Sequence, residues 1–116
     1  MSNTKVLTLS LQKKWFDLIE RGIKKEEYRE IKPKYLSMFC EQLDVYEPNK
    51  YNEFSIGFHL QRNQYDKLVF TLGYSSKQEK KRWMTFSNPR IRIDYGKTEW
   101  GAEPNKKYFV ITWEEK

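Results

Sequence analysis

The chain has 116 residues, with 22 Lys and Arg against 16 Asp and Glu, a net charge of +6, and 16% aromatic residues. A charged fraction of 33% would by itself point toward disorder, but disordered chains are poor in aromatics, so the composition specifies one globular domain, 1–116, with an aromatic core under a charged surface. No apolar run approaches the roughly 20 residues of a membrane span, and no apolar segment follows the N-terminal charges as in a secretory leader; membrane and secreted classes are disfavoured and a cytoplasmic protein is expected.

Lys5 to Leu11 alternates, with Leu7, Leu9 and Leu11 on one side and Val6, Thr8 and Ser10 on the other, which predicts a half-buried strand. Ser10 is a candidate cap for a helix over Gln12 to Arg21, in which Trp15, Phe16 and Ile19 recur at helical spacing. Gly22 supplies the left-handed position that stops it. Lys25 to Ile31 reads as a second strand despite its charges, and Pro33 opens a short helix or turn with Tyr35, Leu36 and Phe39 as its apolar side. Leu43 to Tyr46 reads as a strand, 47–52 as a loop, and Phe54 to Gln64 fits helix and strand equally.

Lys67 to Leu72 is a strand rich in Leu, Val and Phe, followed by a turn at Gly73-Tyr74-Ser75-Ser76. Arg82 to Phe86 and Arg90 to Tyr95 read as two strands separated by Ser87-Asn88-Pro89, the second with Ile91, Ile93 and Tyr95 opposite Arg90, Arg92 and Asp94. Gly96 to Asn105 is a loop that carries Trp100, and Tyr108 to Trp113 is the last strand. Trp15 and Trp113 are expected in the core. Together these elements predict an α+β fold, a small β-barrel of about five to six strands with flanking helices.

The single cysteine, Cys40, follows Met38 and Phe39 and reads as a small buried hydrophobe in a reducing compartment. With the single histidine, His59, it does not make a zinc set, so neither metal nor cofactor is expected.

The segment richest in chemistry is Gly22-Ile23-Lys24-Lys25-Glu26-Glu27-Tyr28-Arg29. Side chains alternate along a strand, so Glu27 and Arg29 share a face, where they can pair with each other or offer a donor and acceptor array to a polar ligand. Tyr28 points the other way and is shared between core and site. The same pattern also fits an edge strand that uses charge to avoid aggregation.

Gly22, Lys24, Glu27 and Arg29, set between a helix and a strand, resemble the signature of the ASCH domain family, which belongs to the PUA-like superfamily. Downstream, Tyr95-Gly96, Glu99-Trp100-Gly101-Ala102 and the closing strand resemble its small single-domain bacterial and phage members. The resemblance implies a PUA-like barrel and a cleft lined by the signature residues. It also implies an RNA-binding role, or kinship with amidohydrolases that deacylate N4-acetylcytidine. Those enzymes use a Thr nucleophile where this chain has Glu27. Carboxylate attack on an amide would leave a mixed anhydride, so Glu27 argues against that chemistry.

The expected function is therefore a module that binds RNA, another nucleic acid or a nucleotide. It would work through Lys24, Glu27 and Arg29, with Tyr28 and Trp100 as stacking candidates, and as a monomer without membrane or metal partners. The basic clusters Lys24-Lys25-Arg29-Lys32-Lys34, Lys77-Lys80-Lys81-Arg82 and Arg90-Arg92, with Tyr74 and Trp83 near them, support this reading. The alternative is a small amidohydrolase of a modified nucleoside, with Lys24 and Glu27 as catalytic residues.

Overall fold

The computed structural model describes residues 4–40, 65–73 and 82–115. The readings for Leu43 to Tyr46, for 47–52 and 54–64, and for His59, Tyr74, Lys77, Lys80 and Lys81 lie outside them. The elements are β1 (Val6–Leu11), α1 (Lys13–Glu20), β2 (Glu27–Arg29), α2 (Pro33–Phe39), β3 (Lys67–Leu72), β4 (Trp83–Tyr95), a 3-10 turn at Thr98–Trp100, and β5 (Lys107–Glu114). The strands form one mixed sheet in the order β1-β3-β4-β5-β2. That order has two ends, so among the described residues the α+β class holds and the expected closed barrel is corrected to an open five-stranded sheet with two helices.

The chain divides into two compact units, and β4 and β5 run through both. The first comprises Met1–Lys25, Tyr65–Pro89 and Trp113–Lys116. Its core is built by alternation: β1 buries Leu7, Leu9 and Leu11, and β3 buries Leu68, Phe70 and Leu72. Parallel pairing from Val6↔Lys67 to Leu11↔Leu72 sets these two rows side by side. α1 packs on β3 and buries Phe16 and Ile19. Complete burial of a side chain such as Phe16 stabilises by about 2–3 kcal/mol. Trp113 packs at 5.1 Å from Phe70 and 5.3 Å from Phe86 between ring centroids, but it and Trp15, both expected in the core, are only half-buried at its edge.

α1 ends where the sequence placed its stop. Gly22 has φ +76°, its N–H donates to the Ile19 carbonyl, and the Ile23 N–H donates to Leu18 at 2.9 Å, a Schellman arrangement. The start differs. β1 stays extended and paired through Leu11, two residues too late for Ser10 to cap, and Gln12 takes the cap position without a side-chain hydrogen bond.

The expected break at Ser87-Asn88-Pro89 is also corrected, because β4 is continuous over 13 residues. Its antiparallel ladder with β3 ends at Lys67↔Ser87, so Pro89, which has no N–H to give, lies past the last pair. Asn88 absorbs the irregularity at φ +50°, and its N–H still donates to the Asp66 carbonyl at 3.0 Å.

The second unit comprises Glu26–Gln64 and Arg90–Thr112. Here β2 pairs antiparallel with β5 only over Glu27↔Ile111, Tyr28↔Val110 and Arg29↔Phe109, which makes it shorter than the expected Lys25 to Ile31. α2 starts at Pro33 and buries Tyr35, Leu36 and Phe39. Phe39 stacks under Tyr35 at 5.9 Å and meets Phe109 edge-on at 5.0 Å. Ile91 and Ile93 are half-buried, and Tyr95 at the end of β4 is 55% exposed. No helix among the described residues is long and apolar enough to cross a membrane.

Candidate functional site

β2 places Glu27 and Arg29 on one face, and they meet. Oε2 of Glu27 accepts from Nε of Arg29 at 3.0 Å and lies 2.9 Å from Nη2, and only 9% and 15% of the two side chains remain exposed. The third arm of the guanidinium, Nη1, donates to the Tyr35 hydroxyl at 3.1 Å. Pro33 fixes the first turn of α2, and the spacing from Tyr35 to Phe39 puts both rings on its buried side. The Arg29 guanidinium is therefore held by a strand neighbour and by a helix whose ring is anchored in the core.

The same ring gathers further positive charge. The Arg29 Cζ lies 5.7 Å from the Tyr35 centroid, the Lys32 Nζ 5.7 Å and the Lys34 Nζ 5.4 Å. Tyr35 was read from the sequence only as a core residue, and it is buried; its role as the meeting point of Arg29, Lys32 and Lys34 was missed. The signal was present in Lys32-Pro33-Lys34-Tyr35, where two cations flank a fixed backbone just ahead of an aromatic.

Tyr28 and Trp100 belong to a different cluster. The Tyr28 hydroxyl donates to Oε1 of Glu26 at 2.8 Å and accepts from the Lys97 N–H at 2.9 Å, while Oε2 of Glu26 accepts from Nη2 of Arg92 at 2.9 Å. Burial, with the Glu26 carboxylate beside it, raises the Tyr28 phenol above its ordinary range. Gly96 is required here. A Cβ at that position would lie 2.7 Å from the Ala102 Cβ and 2.8 Å from the Tyr28 Cζ. Tyr28 thus ties down the loop in which the Lys97 ammonium sits 4.5 Å from the Trp100 ring centroid.

Lys24 falls in the first unit. Its side chain is turned inward, 1% exposed, with its ammonium 5.4 Å from the Trp15 ring centroid, and its backbone N–H donates to Leu18 at the end of α1. The structure therefore brings Glu27 and Arg29 together with Tyr35, places Tyr28 and Trp100 around Lys97, and sets Lys24 over Trp15. Arg90 and Arg92 are exposed on β4, the latter engaged by Glu26 and Asp94. Cys40 is buried, and burial pushes its thiol up to about 11, so at neutral pH it is not a thiolate. No His, Cys, Asp and Glu cluster able to hold a metal ion occurs among the described residues.

No protein-family model, no curated protein and no solved structure matches the chain.

Proposed function

We propose that this protein binds RNA or another nucleic acid or nucleotide through the polar site built on Glu27, Arg29 and Tyr35. The observation that carries the reading is the pairing of cations with aromatic rings in the second unit. Arg29, Lys32 and Lys34 lie at Tyr35, Lys97 at Trp100, Lys106 at Tyr108, and Lys107 at 5.1 Å from the exposed Tyr95. Phosphates take the cations, and unpaired bases stack on the rings that remain accessible, Tyr95 and the half-buried Trp100. The net charge of +6 supports a polyanionic partner. The resemblance of Gly22, Lys24, Glu27 and Arg29 to the ASCH signature supports the same class of ligand. Within the site, Glu27 suits acceptance from an exocyclic amine and Arg29 donation to a carbonyl or phosphate oxygen.

Fluorescence anisotropy against labelled single- and double-stranded RNA and DNA, at low and at physiological salt, tests the proposal. Micromolar or tighter binding is expected, preferential for RNA, with an affinity that falls as salt rises. Arg29→Ala weakens it, and Glu27→Gln changes base preference. Absence of binding to every strand at low salt overturns the reading, and turnover of N4-acetylcytidine that depends on Lys24 would replace it with the amidohydrolase.

A further inference from the structure

From the arrangement around Tyr35 we infer that Lys32 and Lys34 form a subsite for a phosphomonoester dianion, the group found at a strand terminus or on a mononucleotide, rather than for an internal phosphodiester. This deepens the reading above and rests on it only for what carries the phosphate.

The argument is a charge count at one ring. Arg29, Lys32 and Lys34 bring three positive charges within 5.7 Å of the Tyr35 centroid, and Glu27, held by Arg29, brings one negative charge. Among the described residues neither Lys32 nor Lys34 has a carboxylate within ion-pairing distance, and both are exposed. Two like charges held at one aromatic ring repel, and the ring offsets only part of that cost. A phosphodiester carries one negative charge and leaves one lysine uncompensated. A phosphomonoester carries roughly −1.5 to −2 at pH 7 and has three terminal oxygens, enough to answer both ammonium groups.

The placement is also preorganised. Pro33 lies between the two lysines and fixes the backbone that spaces them, while Tyr35 is anchored through Phe39 and Phe109. Trp83, an exposed aromatic on β4 with a basic neighbour in sequence, offers no comparable subsite. Arg82 beside it is already engaged by Asp17 and Glu20, and the cross-strand neighbour of Trp83 is Thr71.

The test compares one short RNA carrying a 5′-phosphate, a 3′-phosphate or hydroxyl ends, by anisotropy at physiological salt. Inorganic phosphate and cytidine monophosphate are titrated separately while backbone NMR shifts of residues 32–37 are followed, through the amide N–H at every position but Pro33 and through its carbonyl carbon there. One phosphorylated end is expected to bind roughly tenfold tighter than the hydroxyl-ended strand. The advantage fades below about pH 6 as the phosphate takes up its second proton. Lys32→Ala with Lys34→Ala removes the preference but leaves binding of the hydroxyl-ended strand. Lys32→Arg with Lys34→Arg keeps it.

If strands bind but their end groups make no difference, and neither phosphate nor the mononucleotide shifts residues 32–37, the subsite is overturned and nucleic-acid binding stands. If no strand binds but phosphate or the mononucleotide shifts those residues in the native protein and not in the double alanine variant, the subsite stands and the polymer reading falls. Shifts that survive the double alanine substitution overturn the subsite.

Discussion

In the unit that holds α1, Arg82, just before β4, reaches Asp17 and Glu20, Lys13 pairs with Asp17 at 3.0 Å, and Lys25 pairs with Glu115 at 3.2 Å. In the unit that holds α2, Glu27 and Arg29 pair nearly out of solvent, and Lys32 and Lys34 meet the ring of Tyr35 with no carboxylate beside them among the described residues. Both units draw on the same residue types. Compensated surface charge does little for stability and leaves no field for a ligand. Compensated charge out of water constrains the structure whatever ligand it also meets, because each partner is costly to leave alone. Uncompensated charge fixed by a buried ring does nothing for the fold and is available to an anion.

The widest separation of these roles comes from Glu27→Ala. It removes the carboxylate that pairs with the Arg29 guanidinium in a largely buried position and is expected to destabilise the protein by about 3 kcal/mol in urea denaturation. A loss under about 0.5 kcal/mol would place this pair in the same class as the surface pairs of the other unit.

Gly96→Ala is expected to cost about 2 kcal/mol, because its methyl must displace Ala102 or the Tyr28 ring, which is held by hydrogen bonds at both sides of its hydroxyl. The same variant should loosen the loop that carries Trp100, visible as a shift in tryptophan emission, and an unchanged midpoint would show that the Tyr28 cluster yields.

Cys40 gives a pH signature. Its folded thiol is raised from 9.0 to about 11, so the protonated form belongs to the native state. That contribution is complete below pH 9 and is lost as pH rises through 11, amounting to about 1.4 kcal/mol at pH 10. Cys40→Ala should flatten this part of the alkaline loss of stability relative to the native chain. An identical alkaline slope in the two proteins would show that the thiol does not contribute.

Arg82→Ala is expected to have the smallest effect. The arginine is held above its usual range mainly by its hydrogen bond to Glu20, yet the pair is solvated, so the change in denaturation midpoint should be slight and should shrink further with added salt. A drop as large as that of Glu27→Ala would show that its stacking on Phe16, at 4.9 Å, matters more than its charge.

Much of the local structure was legible because it depends on a few neighbouring residues. The period of two placed Leu7, Leu9 and Leu11 inside and put Glu27 and Arg29 on one face. The conformational freedom of Gly22 and the fixed φ of Pro33 marked the end of one helix and the start of another. What the pattern missed depends on partners far away in the chain. Whether Ser87-Asn88-Pro89 breaks a strand is decided by where the β3 ladder stops. The open order of the sheet likewise comes from pairings between distant segments.

The sequence by itself determined the chemistry available: a basic, aromatic-rich chain with Glu27 and Arg29 two positions apart, and Lys32 and Lys34 on either side of a proline. Tertiary structure alone decided how that chemistry is used. Packing of Phe39 on Phe109 brings Tyr35 under Arg29 and its neighbouring lysines, and the fold buries the Lys24 side chain beside Trp15 while Ile23 and Lys25 on either side stay exposed. The physical reason is range. Backbone preference and side-chain alternation act over a few residues, whereas burial and the company a charge keeps are set by segments that meet only once the chain has folded.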